Sequence, residues 1–246
     1  MQALILAGGL GTRLRSLVRD NPKAMTKFGD KPFLEYLMGV LKSYQINQLI
    51  LCVGYLYQQI YDYFGTGANW GVQIDYSIEK SLLGTAGAIK HAEFLLGKTF
   101  LVLNGDTFLD LNLDRFMDFH NKKKAESEPD NYLGTIALTG VENNANYGSV
   151  MLNGDGFITK FEEKADKKPE KSNGAGIVNA GVYVLEREIL NFIPSSESVS
   201  IERDTFPQIL NKGYTLSGYF ARGIFIDIGT PQGYYRFQGY LKDSSQ

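Results

Sequence analysis

Three glycines, Gly8, Gly9 and Gly11, follow the apolar run Ala3 to Ala7 and lead into Thr12 and two arginines, Arg13 and Arg15. Glycine lets a backbone take positive φ and lets an anion approach its N–H groups closely, while Arg13 and Lys23 add fixed positive charge. The stretch LAGGLGTRL, Leu6 to Leu14, is therefore suited to holding phosphate. Far along the chain, Asn104-Gly105-Asp106 ends the apolar run Thr99 to Leu103, and Asp227 sits inside the apolar stretch Phe225 to Ile228. A carboxylate in such surroundings is costly unless it is paired or binds a cation. Two of them, with a phosphate loop, suggest a magnesium site shared with a polyphosphate. Taken singly, Asp106 also fits a turn or cap residue, and Asp227 a buried, hydrogen-bonded aspartate. The loop does not end in the GK[ST] of a P-loop, and Leu14 stands where a dinucleotide fingerprint places its third glycine.

The elements that must position these residues alternate. Ala3 to Ala7 reads as a buried first strand. Pro32 to Tyr44 places Phe33, Leu34, Leu37, Met38 and Leu41 at helical spacing, with Pro32 suited to a first helical position. Gln48 to Val53 is a second strand, Leu56 to Phe64 a short aromatic helix, Val72 to Ile78 a third strand and Gly84 to Leu96 a further helix. Thr99 to Leu103 is the continuous apolar run of a parallel strand buried on both faces. This alternation predicts an α/β fold with a Rossmann-like, mixed but mostly parallel central sheet flanked by helices, in which ligands sit beyond the carboxyl ends of the strands.

Leu113 to Lys124 reads as a helix whose Asp114 and Lys122 to Lys124 match its dipole at both ends. Beyond Pro129 the segments shorten into strands at Tyr132 to Thr139, Gly148 to Leu152 and Phe157 to Phe161, with a hairpin turn signal at Asn153-Gly154-Asp155-Gly156. Asp166 to Ser172 reads as a charged surface loop. Gly176 to Leu185, Leu216 to Phe220 and Phe225 to Ile228 read as strands, and Ile201 to Leu210 and Pro231 to Leu241 as helices. A small β-rich subdomain is expected in this second half. The chain is read as one domain over 1–246, with a first part in residues 1–112 and a second in residues 113–246.

The bulk numbers narrow the class. A chain of 246 residues with 43% hydrophobic content can bury a sizeable core. A formal charge of −2 supplies no basic field, so no nucleic-acid partner is expected. Cys52 is the single cysteine and lies in an apolar run, which excludes an internal disulfide and makes it a structural thiol. No apolar run reaches the roughly 18 residues of a membrane span. A cytoplasmic location with no membrane partner is the expectation.

LAGGLGTRL followed by Pro22-Lys23, LGTAGAI at Leu83 to Ile89, NGD at 104–106, EEK at 162–164, NAGVYV at 179–184 and FIDIGTP at 225–231 together resemble the sugar-1-phosphate nucleotidyltransferase family. The motifs occur in the family's order over nearly the whole chain. The resemblance implies that Leu6, Ala7, Gly8, Gly9, Gly11 and Thr12 cradle the nucleotide, with Gly84 and Thr85 beside them. Arg13 would hold the leaving β and γ phosphates and Lys23 the α-phosphate. Asp106 and Asp227 would bind Mg²⁺. Lys164 would hold the phosphate of the incoming sugar, Glu163 and Asn179 its ring hydroxyls, and Gly181, Tyr147 and Gly148 would line the same pocket. Glu163 and Lys164 also fit an exposed strand-end pair, and Asn179 a turn cap. The resemblance implies as partners a nucleoside triphosphate and a sugar 1-phosphate, with a homo-oligomer possible.

Base choice is expected at Glu79, where the chain leaves its third strand. Guanine presents two adjacent donors that one carboxylate can accept together, whereas uracil and thymine suit an amide better. Glu79 therefore favours GTP, although Glu79-Lys80 also fits a surface pair. SIERDTFPQIL at Ser200 to Leu210 and FIDIGTPQGYYRFQ at Phe225 to Gln238 resemble the branch that guanylylates D-glycero-α-D-manno-heptose 1-phosphate, whose product serves cell-surface glycan synthesis. A mannose 1-phosphate enzyme, or a uridylyl- or thymidylyltransferase acting on a hexose 1-phosphate, shares most of these features. Outside the family, a binding protein of the same fold is opposed by the presence of the full charged set. A dinucleotide-dependent oxidoreductase is opposed by the lack of an acidic residue ending the second strand.

Overall fold

The computed structural model describes residues 1–9, 21–128, 130–141, 149–162, 176–195 and 197–243. In chain order its elements are β1 (Gln2–Leu6), β2 (Lys27–Phe28), β3 (Lys31–Pro32), α1 (Phe33–Ser43), β4 (Gln48–Val53), α2 (Tyr57–Phe64), β5 (Gln73–Ile78) and α3 (Gly84–His91). They continue as β6 (Thr99–Asn104), β7 (Thr107–Leu109), α4 (Leu113–Glu126), β8 (Tyr132–Val141), β9 (Ser149–Leu152), β10 (Ile158–Glu162), β11 (Gly176–Glu186), α5 (Phe206–Asn211), β12 (Thr215–Phe220), β13 (Phe225–Asp227) and α6 (Pro231–Asp243).

One large mixed sheet organises them. β5, β4, β1 and β6 pair in parallel, and β11 then joins β6 antiparallel. β11 also pairs antiparallel with β8 and β9, and β12 runs parallel to β8. The second half of the chain therefore extends the sheet of the first. β1, β4 and β6 are buried on both faces, and their side chains divide by alternation. Ala3, Ile5, Leu49, Leu51, Leu101 and Leu103 enter one core, with α1, α4 and α6 over it. Leu4, Ile50, Cys52, Phe100 and Val102 enter the other, under α3 and α5. Phe237 of α6 is fully buried and meets Phe28 at 4.8 Å, Phe33 at 5.0 Å and Phe108 at 5.2 Å between ring centroids. That contact pins α6, and the chain just before it, against β7.

Most expected elements are present within one or two residues. The helix expected over Gly84 to Leu96 is instead α3 followed, after Ala92, by a 3₁₀ turn at Glu93–Leu95. The helix expected over Ile201 to Leu210 is a π turn, Ile201–Thr205, running into α5. Pro207 removes a backbone donor at the junction, which favours a change of hydrogen-bond pattern there. The strand expected at Phe225 to Ile228 is β13, whereas its partner β7 and the 3₁₀ turn Lys23–Met25 have no counterpart among the expected elements, because three residues carry no periodicity to read. Cys52 is buried, as expected, and burial pushes its thiol well above the ordinary range. Among the described residues no helix is long and apolar enough to cross a membrane.

Candidate functional site

A cleft of about 540 Å³ opens beyond the carboxyl ends of the parallel strands, within the range of small-molecule sites. Its floor is built by three segments far apart in sequence. Pro22 precedes the 3₁₀ turn, in which Met25 N–H donates to the Pro22 carbonyl at 2.8 Å; the turn buries Ala24 and sends Lys23 into the cleft. At the end of β6 the Gly105 N–H continues the parallel ladder by donating to the Leu6 carbonyl at 2.9 Å, which fixes where the chain turns into Asp106. The β7–β13 ribbon sets Asp227 opposite Thr107, and Ile228 N–H donates to the Asp106 carbonyl at 3.0 Å.

These supports bring the charges together. The Lys23 ammonium ion-pairs and hydrogen-bonds with Asp106 Oδ2 and lies 3.9 Å from Asp227 Oδ1. Lys23 and Asp227 are each 11% exposed at the side chain and Asp106 29%, so the attraction is only partly screened by water. Gly229 N–H donates to Asp227 Oδ1 at 2.7 Å, holding that carboxylate in place. Two carboxylates thus converge on one positive charge. Oxygen donors of this kind suit Mg²⁺, which binds through one or two carboxylates plus substrate phosphates.

The ends of β1 and β5 and the start of α3 line the same cleft. Ala7 N–H donates to the Cys52 carbonyl at 2.8 Å, so Leu6 and Ala7 prolong β1, and Gly8 and Gly9 follow at the rim. Glu79 N–H donates to the Val53 carbonyl at 2.8 Å, and the Glu79 carboxylate accepts from Leu83 N–H at 3.1 Å. That carboxylate lies so near Gly8 that a Cβ on Gly8 would stand 2.8 Å from it. Burial pushes the Glu79 carboxyl above its ordinary range, against the Leu83 N–H and the nearby His91, which favour the charged form. Gly84 and Thr85 open α3 on the same wall.

On the opposite wall, the register of β11 against β8 shifts between Asn179 and Tyr183. Gly181 sits in this bulge at φ +71, a conformation L side chains rarely adopt, and a Cβ there would also stand 2.6 Å from Asn104 Nδ2. The bulge turns Asn179 and Gly181 toward the cleft. Gly181 N–H donates to Asn179 Oδ1 at 2.9 Å, and Asn179 Nδ2 donates to the Tyr183 hydroxyl at 2.7 Å.

Leu6, Ala7, Gly8, Gly9, Lys23, Glu79, Gly84, Thr85, Asp106, Asn179, Gly181 and Asp227 therefore line one cavity. Gly11, Thr12, Arg13, Tyr147, Gly148, Glu163 and Lys164 lie outside the described residues. The sequence reading assigned no role to Ser200, Glu202 and Arg203, which line the cleft beside α3. Their signal was present in SIERD, a serine followed by acidic residues at a helix start, but nothing local shows that the turn faces a cleft. Neither histidine belongs to the site. His91 lies within 3.2 Å of the Ile78 carbonyl, and His120 is fully buried on Thr135 and Glu186.

Comparison with known proteins gives the same site a context. Residues 2–244 match the family described as nucleotidyl transferase. The chain is 38% identical to the D-glycero-alpha-D-manno-heptose 1-phosphate guanylyltransferase of Campylobacter jejuni subsp. jejuni serotype O:2, over 96% of this chain and 98% of that one. It is 36% identical to the enzyme of the same name from Aneurinibacillus thermoaerophilus, over 98% and 99%. The crystal structure of HddC from Yersinia pseudotuberculosis complexed with GMP-PN superposes with a TM-score of 0.80 at 32% identity, covering 98% of this chain and 99% of that one.

Proposed function

The chain belongs to the nucleotidyl transferase family, and from that premise we propose that it transfers GMP from GTP to a sugar 1-phosphate, D-glycero-α-D-manno-heptose 1-phosphate, releasing pyrophosphate. The observation that carries this reading is the convergence of Lys23, Asp106 and Asp227 on the floor of a cleft whose walls hold Glu79 on one side and Asn179 on the other. The heptose guanylyltransferases of similar length support the choice of both substrates.

The reaction needs no general base from the protein. A phosphate monoester has its second pKa near about 6, so the sugar phosphate arrives largely as a dianion and is already a nucleophile. Its oxygen forms a bond to the α-phosphorus of GTP as the bond from that phosphorus to the β-phosphate oxygen breaks, and pyrophosphate carries away the electron pair. The obstacle is repulsion, on the order of 4 kcal/mol per unit pair 4 Å apart at an effective dielectric of about 20. Lys23 offsets part of it where charge develops on the α-phosphate. Arg13, on the leaving phosphates, and Lys164, on the sugar phosphate, complete the cationic set by family resemblance.

Asp106 and Asp227 fit Mg²⁺ through the hard oxygen donors they present, and the ion would supply charge neutralisation between the two phosphates. With GTP bound, Lys23 exchanges its contact with Asp106 for the α-phosphate. Glu79 accepts the two adjacent guanine donors. Asn179 and Gly181, together with Tyr147, Gly148 and Glu163, hold the sugar, and Gly8, Gly9, Gly11 and Thr12 hold the triphosphate through their backbone. The product, a GDP-sugar, suits cell-surface polysaccharide synthesis.

The test is pyrophosphate release by the purified protein with Mg²⁺, each common nucleoside triphosphate and a panel of heptose, mannose and glucose 1-phosphates. Turnover is expected with GTP and the heptose phosphate. No turnover with any pair would sink the enzymatic reading; preference for mannose 1-phosphate or for UTP would replace the substrate assignment.

A further inference from the structure

Glu202 lies on the cleft wall, in the π turn after Ser200, and accepts hydrogen bonds from three hydroxyl groups. Thr85 of α3 and Ser200 each donate to Oε2 at 2.9 Å, and Tyr183 of β11 donates to Oε1 at 3.1 Å. Thr85 Oγ1 in turn accepts from Ile201 N–H at 2.8 Å, so its only proton is committed to Glu202. One carboxylate therefore joins the first turn of the nucleotide-side helix to the strand that carries Asn179.

The direction of this chain follows from donor and acceptor chemistry. An ionised carboxylate only accepts, so the Tyr183 proton must point at Glu202 and the lone pairs of the hydroxyl face Asn179. Asn179 must then present its amide nitrogen to Tyr183, at 2.7 Å, and its oxygen to Gly181 N–H, at 2.9 Å. Both ends of the amide are fixed, and each keeps one unused position, one N–H and one lone pair. A donor and an acceptor held side by side match two neighbouring hydroxyls of a sugar ring.

We propose that Glu202 is a positioning residue which, through Tyr183, fixes the orientation in which Asn179 meets the sugar hydroxyls. The inference rests on the guanylyltransferase reading above for its substrate, and on the geometry alone for the relay. Removing the carboxylate lets the Tyr183 proton turn toward Asn179, where it competes with the amide donor. Gly181 N–H still holds the amide oxygen, while the amide nitrogen loses the lone pair it was paired with.

Tyr183→Phe and Glu202→Ala are the variants to make, because Tyr183 is fully buried and loses only its hydroxyl, and alanine offers the Tyr183 proton no acceptor. Each is expected to raise KM for the sugar 1-phosphate about tenfold, the loss of one well-placed hydrogen bond, with kcat changed less than about threefold. In Tyr183→Phe, KM for GTP should stay within about twofold of the parent. The double variant should be no worse than the poorer single one, because both break the same relay. The Asn179 side-chain amide, followed by ¹⁵N NMR in the ligand-free protein, should exchange slowly with solvent and lose that protection in Tyr183→Phe. Unchanged KM for the sugar phosphate, losses that multiply in the double variant, or an Asn179 amide that responds to neither substitution would overturn the relay. A parent protein that turns over no sugar phosphate would instead count against the proposed function, and the NMR result would still decide the relay.

Discussion

The Lys23 ammonium ion-pairs with the Asp106 carboxylate across 83 residues of chain, from the start of a turn that buries Ala24. The two residues are placed by different elements, Lys23 by the turn that Met25 N–H closes on the Pro22 carbonyl and Asp106 by the end of β6, where Gly105 N–H donates to the Leu6 carbonyl. The pair joins a cation suited to phosphate with a carboxylate suited to a metal ion, so each holds the other in place.

Removing either partner should therefore damage chemistry more than folding. Lys23→Ala and Asp106→Ala are each expected to lower the rate of pyrophosphate release on the order of 10²-fold or more, as for loss of one preorganised transition-state contact. Rates within tenfold of the parent would show that the site has been misplaced.

Gly229 offers a test that leaves every charge intact. A Cβ built on it would collide with the Lys23 ammonium and stand 2.7 Å from Asp227 Oδ1. Gly229→Ala should cut activity by an amount similar to Lys23→Ala, while thermal unfolding shifts by only a few degrees, about 1 kcal/mol in a protein this size. An active variant would mean that Lys23 is free to sit elsewhere.

Base selection should follow Glu79. Glu79→Gln is expected to weaken use of GTP relative to UTP or dTTP, read as a ratio of kcat/KM values. Burial pushes this carboxyl up, so its charged form, the double acceptor for guanine, is lost at a higher pH than for an exposed glutamate. The part of the rise in KM for GTP on acidification that comes from this carboxyl should accordingly be missing in Glu79→Gln. An unchanged base preference would remove Glu79 from the site.

The buried His120–Glu186 pair makes a separate prediction about stability. Glu186 is 2% exposed and burial alone would raise its pKa; His120 at 2.9 Å, Lys124 at 2.8 Å and the Thr99 hydroxyl outweigh that and hold it at about 2. Because the folded-state value lies below the unfolded one, near about 4.3, the stabilisation is present above that pH and is lost as pH falls toward about 2. Glu186→Gln should cost about 3 kcal/mol near neutrality, as for a broken buried pair. Denaturant unfolding at pH 7 and pH 3 should show the gap narrowing in acid; an equal gap at both would rule out the ionised Glu186 carboxylate as its source.

The sequence made the strands and the individual site residues legible for a local reason. β4, read as Gln48 to Val53, matches its observed bounds because the five continuous apolar residues Leu49 to Val53 leave no other buried arrangement. Asp106 and Asp227 stood out because a carboxylate next to such a run has to be accounted for. The breaks in the helices after His91 and at Thr205 were not legible, since propensity does not reveal which carbonyls tertiary packing will satisfy.

What the chain alone determined was therefore the set of elements and the list of groups able to handle phosphate and a cation. Only the tertiary structure decided that β11 enters the sheet antiparallel beside β6 and bulges at Gly181, which turns Asn179 toward Asp106. It also decided that Glu202, in a turn whose sequence reads as a helix start, reaches Thr85 across 117 residues. Periodicity and residue type are properties of neighbours along the chain, whereas a hydrogen bond between distant segments exists only once the sheet has set the distance between them.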